Sequence, residues 1–286
     1  PTVDPVARAF QEFARVGIER EDAATPPLGS IGPYELLRVL GEGGHGTVFL
    51  AHQVSPIQRS VAVKLLRAAP GSTEAVKRFD AERQVLAQLE HPSIASIHDA
   101  GITESGQPYF AMEYVQGTSI TRHCSDNVVG LRERLELFRE VCAAVQYAHL
   151  RGVLHRDLKP SNILVTTTDG HSSPKVIDFG LAKVTGDAAE DEAFDAPRTL
   201  TGQVLGPPAY MRPEQAAGRS SAVDARTDVY SLGAVLYELL TGRLPLLDPH
   251  ARSGGLPEML RAIEEEDPPR PSTLVRSGET TASTPR

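Results

Sequence analysis

The stretch "LHRDLKPSNILV", Leu154 to Val165, joins an apolar helical run to an apolar strand through a loop crowded with polar groups. His155, Arg156, Asp157, Lys159 and Asn162 bring both charge signs and an amide to the edge of what should be core. A solvated turn and a chemical site are both compatible with that composition. The flanking sequence has to decide between them.

Immediately upstream, Leu131, Leu135, Phe138, Cys142, Val145 and His149 recur at spacings of three to four. That period predicts one apolar face of a long helix, with Gly152 as its C-cap and His149 packed on the face. Downstream, "VIDFG" (176–180) predicts an apolar strand ending in Asp178 and Gly180. A strand-end aspartate is common in turns, but beside Asn162 it becomes a candidate for holding a hard cation through oxygen, as Mg²⁺ prefers. A zinc site on His155 and Asp157 lacks third and fourth ligands at metal-site spacing.

Further towards the N-terminus the pattern is strand-like. "YELLRVL", "TVFLAHQV" and "SVAVKLL" are short and rich in aliphatic and β-branched residues. Between the first two lies Gly41-x-Gly43-x-x-Gly46. A dinucleotide fingerprint would need a helix directly after these glycines, whereas Val48 and Phe49 favour a strand. Such a glycine turn lets backbone N–H groups approach phosphate oxygens without Cβ interference, though a plain flexible hairpin reads the same.

A helix is predicted over about 73–90, with Phe79, Leu86 and Leu89 on its apolar stripe and Glu82 interrupting it. A carboxylate on a buried face needs a partner. Lys64, which ends the strand "VAVK", is its natural counter-ion. Further strands are expected in "SIASIHDAGI" and "PYFAMEYV", and "YSLGAVLYELL", apolar nearly all round, predicts a buried helix. Residues 186–195 carry five acids and no base, the mark of a surface loop.

Bulk properties narrow the class. The 286 residues, 40% hydrophobic and 23% charged, suit one large domain or two lobes around a cleft. A net charge of −8 offers no basic footprint for nucleic acid. Cys124 and Cys142 are the only cysteines, so no disulfide framework and a reducing compartment are expected. No run reaches the roughly 18 apolar residues of a membrane span, and no signal peptide is expected. Because the chain opens with Pro1, it is expected to be a piece of something longer.

These motifs, taken in order, resemble the eukaryotic-like protein kinase family, whose signature set the glycine loop, "VAVK", the helix glutamate, "HRDLKPSN" and "DFG" reproduce with family-like separations. "HRDLKPSNILV", "KVIDFGLAK" and "YMRPEQA" look most like bacterial (Hanks-type) serine/threonine kinases, and the likeness runs from about Tyr34 to Ser272. It implies an α+β, bilobal kinase fold: an N-terminal extension at 1–33, a small β-rich N-lobe and hinge at 34–115, a larger mainly helical C-lobe at 116–275, and a disordered tail at 276–286.

The resemblance also implies roles. Leu40, Gly41, Glu42, Gly43, Gly44, His45, Gly46, Thr47 and Val48 would cover the phosphates and nucleotide of ATP. Lys64 would contact the α- and β-phosphates and be held by Glu82, with Ala62, Val48 and Leu164 sandwiching adenine. Met112, Glu113 and Val115 would form the hinge. Asp157 would orient the acceptor hydroxyl and take its proton. Lys159 is what serine/threonine kinases carry two residues later. Asn162 and Asp178 would hold Mg²⁺ (or Mn²⁺).

Leu86, Ile97, His155 and Phe179 match the column of stacked side chains joining the lobes. Asp228 would anchor that column and the catalytic-loop backbone. Arg156 would receive a phosphate from Thr199 or Thr201, so autophosphorylation, including self-association for it, is expected to activate the chain. Implied partners are proteins bearing Ser/Thr hydroxyls, and the implied place is the cytoplasm or the cytoplasmic side of a membrane protein.

Two departures from the family pattern favour a catalytically weak or silent kinase-fold module as the alternative. Pro207 replaces a threonine whose hydroxyl contacts the catalytic aspartate and lysine. After "EMLRAIEEED" the sequence shows no helical periodicity, so the C-lobe is expected to lack its last helices and Glu214 to lack its arginine partner. Phosphotransfer to a small molecule is disfavoured by Lys159 and the "PE" segment.

Overall fold

A computed structural model describes residues 27–43, 46–67, 79, 83–179, 210, 224–246 and 261–276. They fall into two compact units. The first comprises the described residues up to Gln88 together with Ser96–Tyr114, and the second comprises Leu89–Ala95 with the described residues from Val115 onward.

The first unit is one antiparallel sheet. Its strands are β1 (Gly29–Ile31), β2 (Tyr34–Gly43), β3 (Gly46–Gln53), β4 (Arg59–Leu66), β5 (Ile97–Ile102) and β6 (Pro108–Glu113), ordered β1-β2-β3-β4-β6-β5. Period-two side-chain alternation builds its core, in which Tyr34, Leu36, Phe49, Ala51, Val61, Val63, Leu65, Tyr109 and Ala111 pack together. On β4 the intervening residues Ala62, Lys64 and Leu66 are buried as well, so this central strand is covered on both faces. The Tyr34 hydroxyl on β2 donates to Asp99 Oδ2 on β5 at 2.9 Å. Those strands are separated by β3, β4 and β6, so the sheet must curl for the bond to form.

Two expectations are corrected in this region. The helix predicted to reach residue 90 has helical geometry at 83–86 and turns away after that. Pro92 follows closely, and the residue before a proline is pushed out of the helical region. The strand expected from Ser93 starts only at Ile97. Ser93 and Ala95 make their main-chain bonds elsewhere: Val176 N donates to Ser93 O and Ala95 N to Val176 O, both at 2.9 Å.

The second unit holds β7 (Thr118–Ser119), α1 (Ile120–Asp126), α2 (Leu131–His149), a 3₁₀ turn (Pro160–Asn162), β8 (Ile163–Thr168), β9 (His171–Val176), α3 (Ala225–Thr241) and α4 (Pro271–Arg276). Strands β7, β8 and β9 form a small antiparallel sheet in that order. Helix α2 ends as the glycine predicts: Gly152 is left-handed at φ 74° and its N–H donates to His149 O at 2.9 Å. Helix α3 starts at Asp224, whose side chain accepts from Arg226 N, and ends at the left-handed Gly242.

The buried face of α2 differs from the expected stripe. Leu131 and Leu135 are exposed (61% and 43%), and the core side is Leu137, Val141, Ala144, Val145 and Ala148. Two alanines lie on that face, and a reading weighted to large side chains passes over them. The stretch after Asp267, expected to show no helix, carries the short helix α4. Helix α4 opens on Pro271, a residue preorganised for a first helical position. The Tyr237 hydroxyl of α3 donates to Pro269 O just before it, at 2.9 Å.

Candidate active site

The loop that opened the sequence is held by its own side chains and by α3. Lys159 Nζ donates to Asp157 Oδ2 at 2.6 Å. Asn162 Nδ2 donates to the Asp157 main-chain oxygen at 2.7 Å and to Oδ2 at 3.2 Å. One carboxylate oxygen of Asp157 is thus approached by a lysine and an amide, and its backbone is fixed by the same amide. Ile177 N donates to Asn162 O at 2.9 Å, which sets Asp178 next to the Asn162 main chain.

Beneath this loop lies Asp228, fully buried in the first turn of α3. Its Oδ1 accepts Arg156 N and its Oδ2 accepts His155 N, each at 2.8 Å. Oδ2 also meets His149 Nε2 at 2.7 Å. Arg156 has φ 69°, a left-handed conformation that non-glycine residues rarely adopt. Here the N–H bond to Asp228 holds it there. Asp178 is left-handed too, at φ 65°.

His155 is fully buried, and its hydrogen bonds are those of a neutral imidazole. Its Nε2 donates to Ile177 O at 2.9 Å while its Nδ1 accepts Asp157 N at 3.3 Å, an arrangement with one ring proton. Burial pushes the imidazole below its ordinary range, against the pull of Asp228 and Asp157. Its ring packs on Phe179, with centroids 4.7 Å apart.

In the first unit, strand register sets the remaining candidates. Gly41 pairs with Val48, Glu42 with Thr47 and Gly43 with Gly46, so the glycine segment is a β-hairpin and a strand follows it. Gly46, at φ 145°, must be glycine, because a Cβ would lie 2.1 Å from Leu65 O. At Gly41 and Gly43 a Cβ would meet nothing within 4 Å, so packing within the sheet does not require glycine there. Register also pairs Val48 with Lys64 and Ala62 with Met112. Lys64 is buried at 7% exposure.

Met112 and Val115 are buried, Glu113, Val48 and Leu164 are half-buried, and Leu40 is exposed. Ser96 N donates to Glu113 Oε2 at 3.3 Å. Gly44, His45, Glu82, Gly180, Thr199, Thr201, Pro207 and Glu214 lie outside the described residues. So does the acidic segment 186–195.

The profile of the protein kinase domain matches residues 34–281. The chain belongs to the protein kinase family. The serine/threonine-protein kinase Pkn1 of Myxococcus xanthus is 40% identical over 256 residues, 88% of this chain and 34% of that protein. PknB of Mycobacterium leprae is 40% identical over 219 residues, 75% of this chain and 33% of its own length. The chain therefore spans about a third of the curated relatives it matches.

Among solved structures, a double mutant of the PknI kinase domain of Mycobacterium tuberculosis superposes with a TM-score of 0.58 at 28% identity, over 85% of this chain and 99% of that one. The chain thus has the α+β protein kinase fold, and the family uses ATP with a divalent metal. Among the described residues no helix is long and apolar enough to cross a membrane.

Sequence reasoning missed four polar residues in the kinase C-lobe. His149, read as packed core, is half-buried and bonded to Asp228. Arg134 reaches three carbonyls: Val129 O at 2.8 Å, Leu239 O at 2.7 Å and Cys124 O at 3.3 Å. Tyr210 donates a short hydrogen bond to Glu238 of α3. Asking of each the question put to Glu82, namely which partner a polar residue on an apolar face would find, is the signal that could have found His149 and Glu238.

Proposed function

We propose that this chain is the catalytic segment of a serine/threonine protein kinase that transfers the γ-phosphate of ATP to protein hydroxyls. The observation that carries the reading is the Asp157 carboxylate, ordered by Lys159 and Asn162 above a loop pinned to Asp228. Asp157 accepts the hydroxyl proton as the oxygen attacks phosphorus, and Lys159 supplies positive charge beside it. The open space above Gly41 and Gly43 suits phosphate oxygens approached by backbone N–H groups. Lys64 contributes its ammonium to the same phosphates.

The residues fit a divalent cation as well. Asn162 commits its amide nitrogen to Asp157, so its carbonyl oxygen, with the Asp178 carboxylate, is the hard donor set that Mg²⁺ or Mn²⁺ takes. Bound there, the metal would neutralise charge on the transferring phosphoryl group. We assign 34–115 to the N-lobe and hinge and 116–275 to the C-lobe. Thr199 and Thr201 are the autophosphorylation sites in this proposal, reached in a self-associated pair and answered by Arg156. Substrates are cytoplasmic proteins.

Incubation with labelled ATP and Mg²⁺ tests the proposal by comparing the chain with Asp157→Asn. Label should appear on threonine in the parent and be absent from the variant. A parent that binds ATP but transfers no label to itself or to a generic protein acceptor favours the silent-module alternative instead, which Pro207 would explain.

A further inference from the structure

We infer that the Glu42–Arg67 ion pair is a strap that sets the glycine hairpin in the position that retains nucleotide phosphates. Arg67 is then a positioning residue, and the inference rests on the kinase reading of this site. Arg67 Nη2 donates to Glu42 Oε1 at 2.9 Å. Glu42 stands near the tip of the hairpin between β2 and β3, and Arg67 directly follows β4. In register Glu42 opposes Thr47, which in turn opposes Leu65. The bond therefore reaches from the first strand of the hairpin, across β3, to the end of β4.

The hairpin needs such a strap because little else braces its tip. Strand β1 pairs with β2 only from Tyr34 to Leu36, so beyond Leu36 the one strand beside β2 is β3. The ladder to β3 is itself irregular between Val39 and Gly41. A Cβ at Gly41 or Gly43 would meet nothing within 4 Å, so packing does not support the main chain there. Strand β4 is the opposite case, central in the sheet and buried along most of its length. It carries Lys64 three residues before Arg67. The strap thus fixes the hairpin against the strand whose lysine is assigned to the phosphates.

The pleat decides how the pair acts. Thr47 opposes Glu42 and the next residue, Val48, opposes Lys64, so Glu42 and Lys64 project from opposite faces of the sheet. The pair works through the main chain and touches no nucleotide. Its side chains are 54% and 47% exposed for Arg67 and Glu42. An ion pair in that setting shifts an equilibrium by a factor of about five at most. A hairpin in place for a smaller fraction of the time binds phosphates less tightly in proportion.

Calorimetric titration with ADP and Mg²⁺, and separately with adenosine, compares the parent with Glu42→Gln, Arg67→Met and the double variant. Each single change should raise Kd for ADP about two- to fivefold and the double change should add nothing, while Kd for adenosine moves by less than about 1.5-fold. A plain field effect predicts the reverse for Glu42→Gln, because removing a negative charge near phosphate tightens ADP. The ratio of variant to parent should fall towards one in about 1 M salt, where the Debye length is about 3 Å.

Tighter or unchanged ADP binding in Glu42→Gln, or an equal loss for adenosine, overturns the inference. So does a double variant whose loss is the product of the two single losses. A parent that binds neither ligand overturns the kinase reading instead. Hydrogen exchange without ligand then decides the strap: the hairpin amides from Gly41 to Val48 should exchange faster in Glu42→Gln than in the parent, and equal rates refute it.

Discussion

Replacing Asp228 by asparagine tests how the loop at 154–165 is supported, because it keeps the shape and removes one acceptor. The carboxylate offers two oxygens to three donors: Arg156 N, His155 N and His149 Nε2. An amide offers one oxygen and one NH₂. With its nitrogen in the place of Oδ2, it faces both His155 N–H and His149 Nε2. With its nitrogen in the place of Oδ1, it faces Arg156 N–H. Either way a buried main-chain N–H is left pointing at another donor.

Hydrogen bonds to charged groups contribute about 1.5–3 kcal/mol, and a stranded buried donor costs about 1–3 kcal/mol more. The expected loss for Asp228→Asn is therefore about 3–5 kcal/mol, since the site is fully buried and water cannot substitute. Urea unfolding of parent and variant, followed by far-ultraviolet circular dichroism, measures the difference. A loss below about 1 kcal/mol would mean that the loop keeps its left-handed turn without the carboxylate, and the account of Arg156 given above would be wrong.

Other residues give independent checks. Arg134→Met strands carbonyls near the ends of α1 and α3, and its two short bonds should make it less stable by about 2–4 kcal/mol in urea, with Arg134→Lys recovering only part. Val128, a β-branched residue at φ 51° and 46% exposed, carries left-handed strain of about 1–2 kcal/mol, so Val128→Gly should raise the melting temperature despite glycine's entropy; a fall would refute that strain. Burial pushes the Glu238 carboxyl above its usual range, with the Tyr210 hydroxyl partly opposing. The folded chain then binds that proton more tightly than the unfolded one. Its contribution is complete below about pH 4.3 and is lost as pH rises through the folded value. Glu238→Gln should therefore gain stability relative to the parent between pH 4 and neutrality, and a constant difference would rule the titration out.

How much of this was readable beforehand depends on whether the cause is local. Strands β2, β3, β4 and β6 were visible because short runs of aliphatic and β-branched residues suit a buried pleated strand, and the hairpin after Gly41 was visible because Val48 and Phe49 favour a strand. The face of α2 was not, because Ala144 and Ala148 face the core as surely as Leu137 and carry little hydrophobic signal. The short helix at Pro271 was invisible to periodicity for a different reason: six residues make too few turns to show one.

The loop at 154–165 shows the limit most clearly. Its residue types pointed to chemistry, yet nothing in an arginine foretells φ 69° at Arg156. That angle exists because a carboxylate 72 positions later accepts the Arg156 N–H. The carboxylate is in turn held by an imidazole 79 positions before it. A local pattern can name the groups that react. The geometry that lets them react is imposed by residues whose own sequence context says only that they lie on a helix.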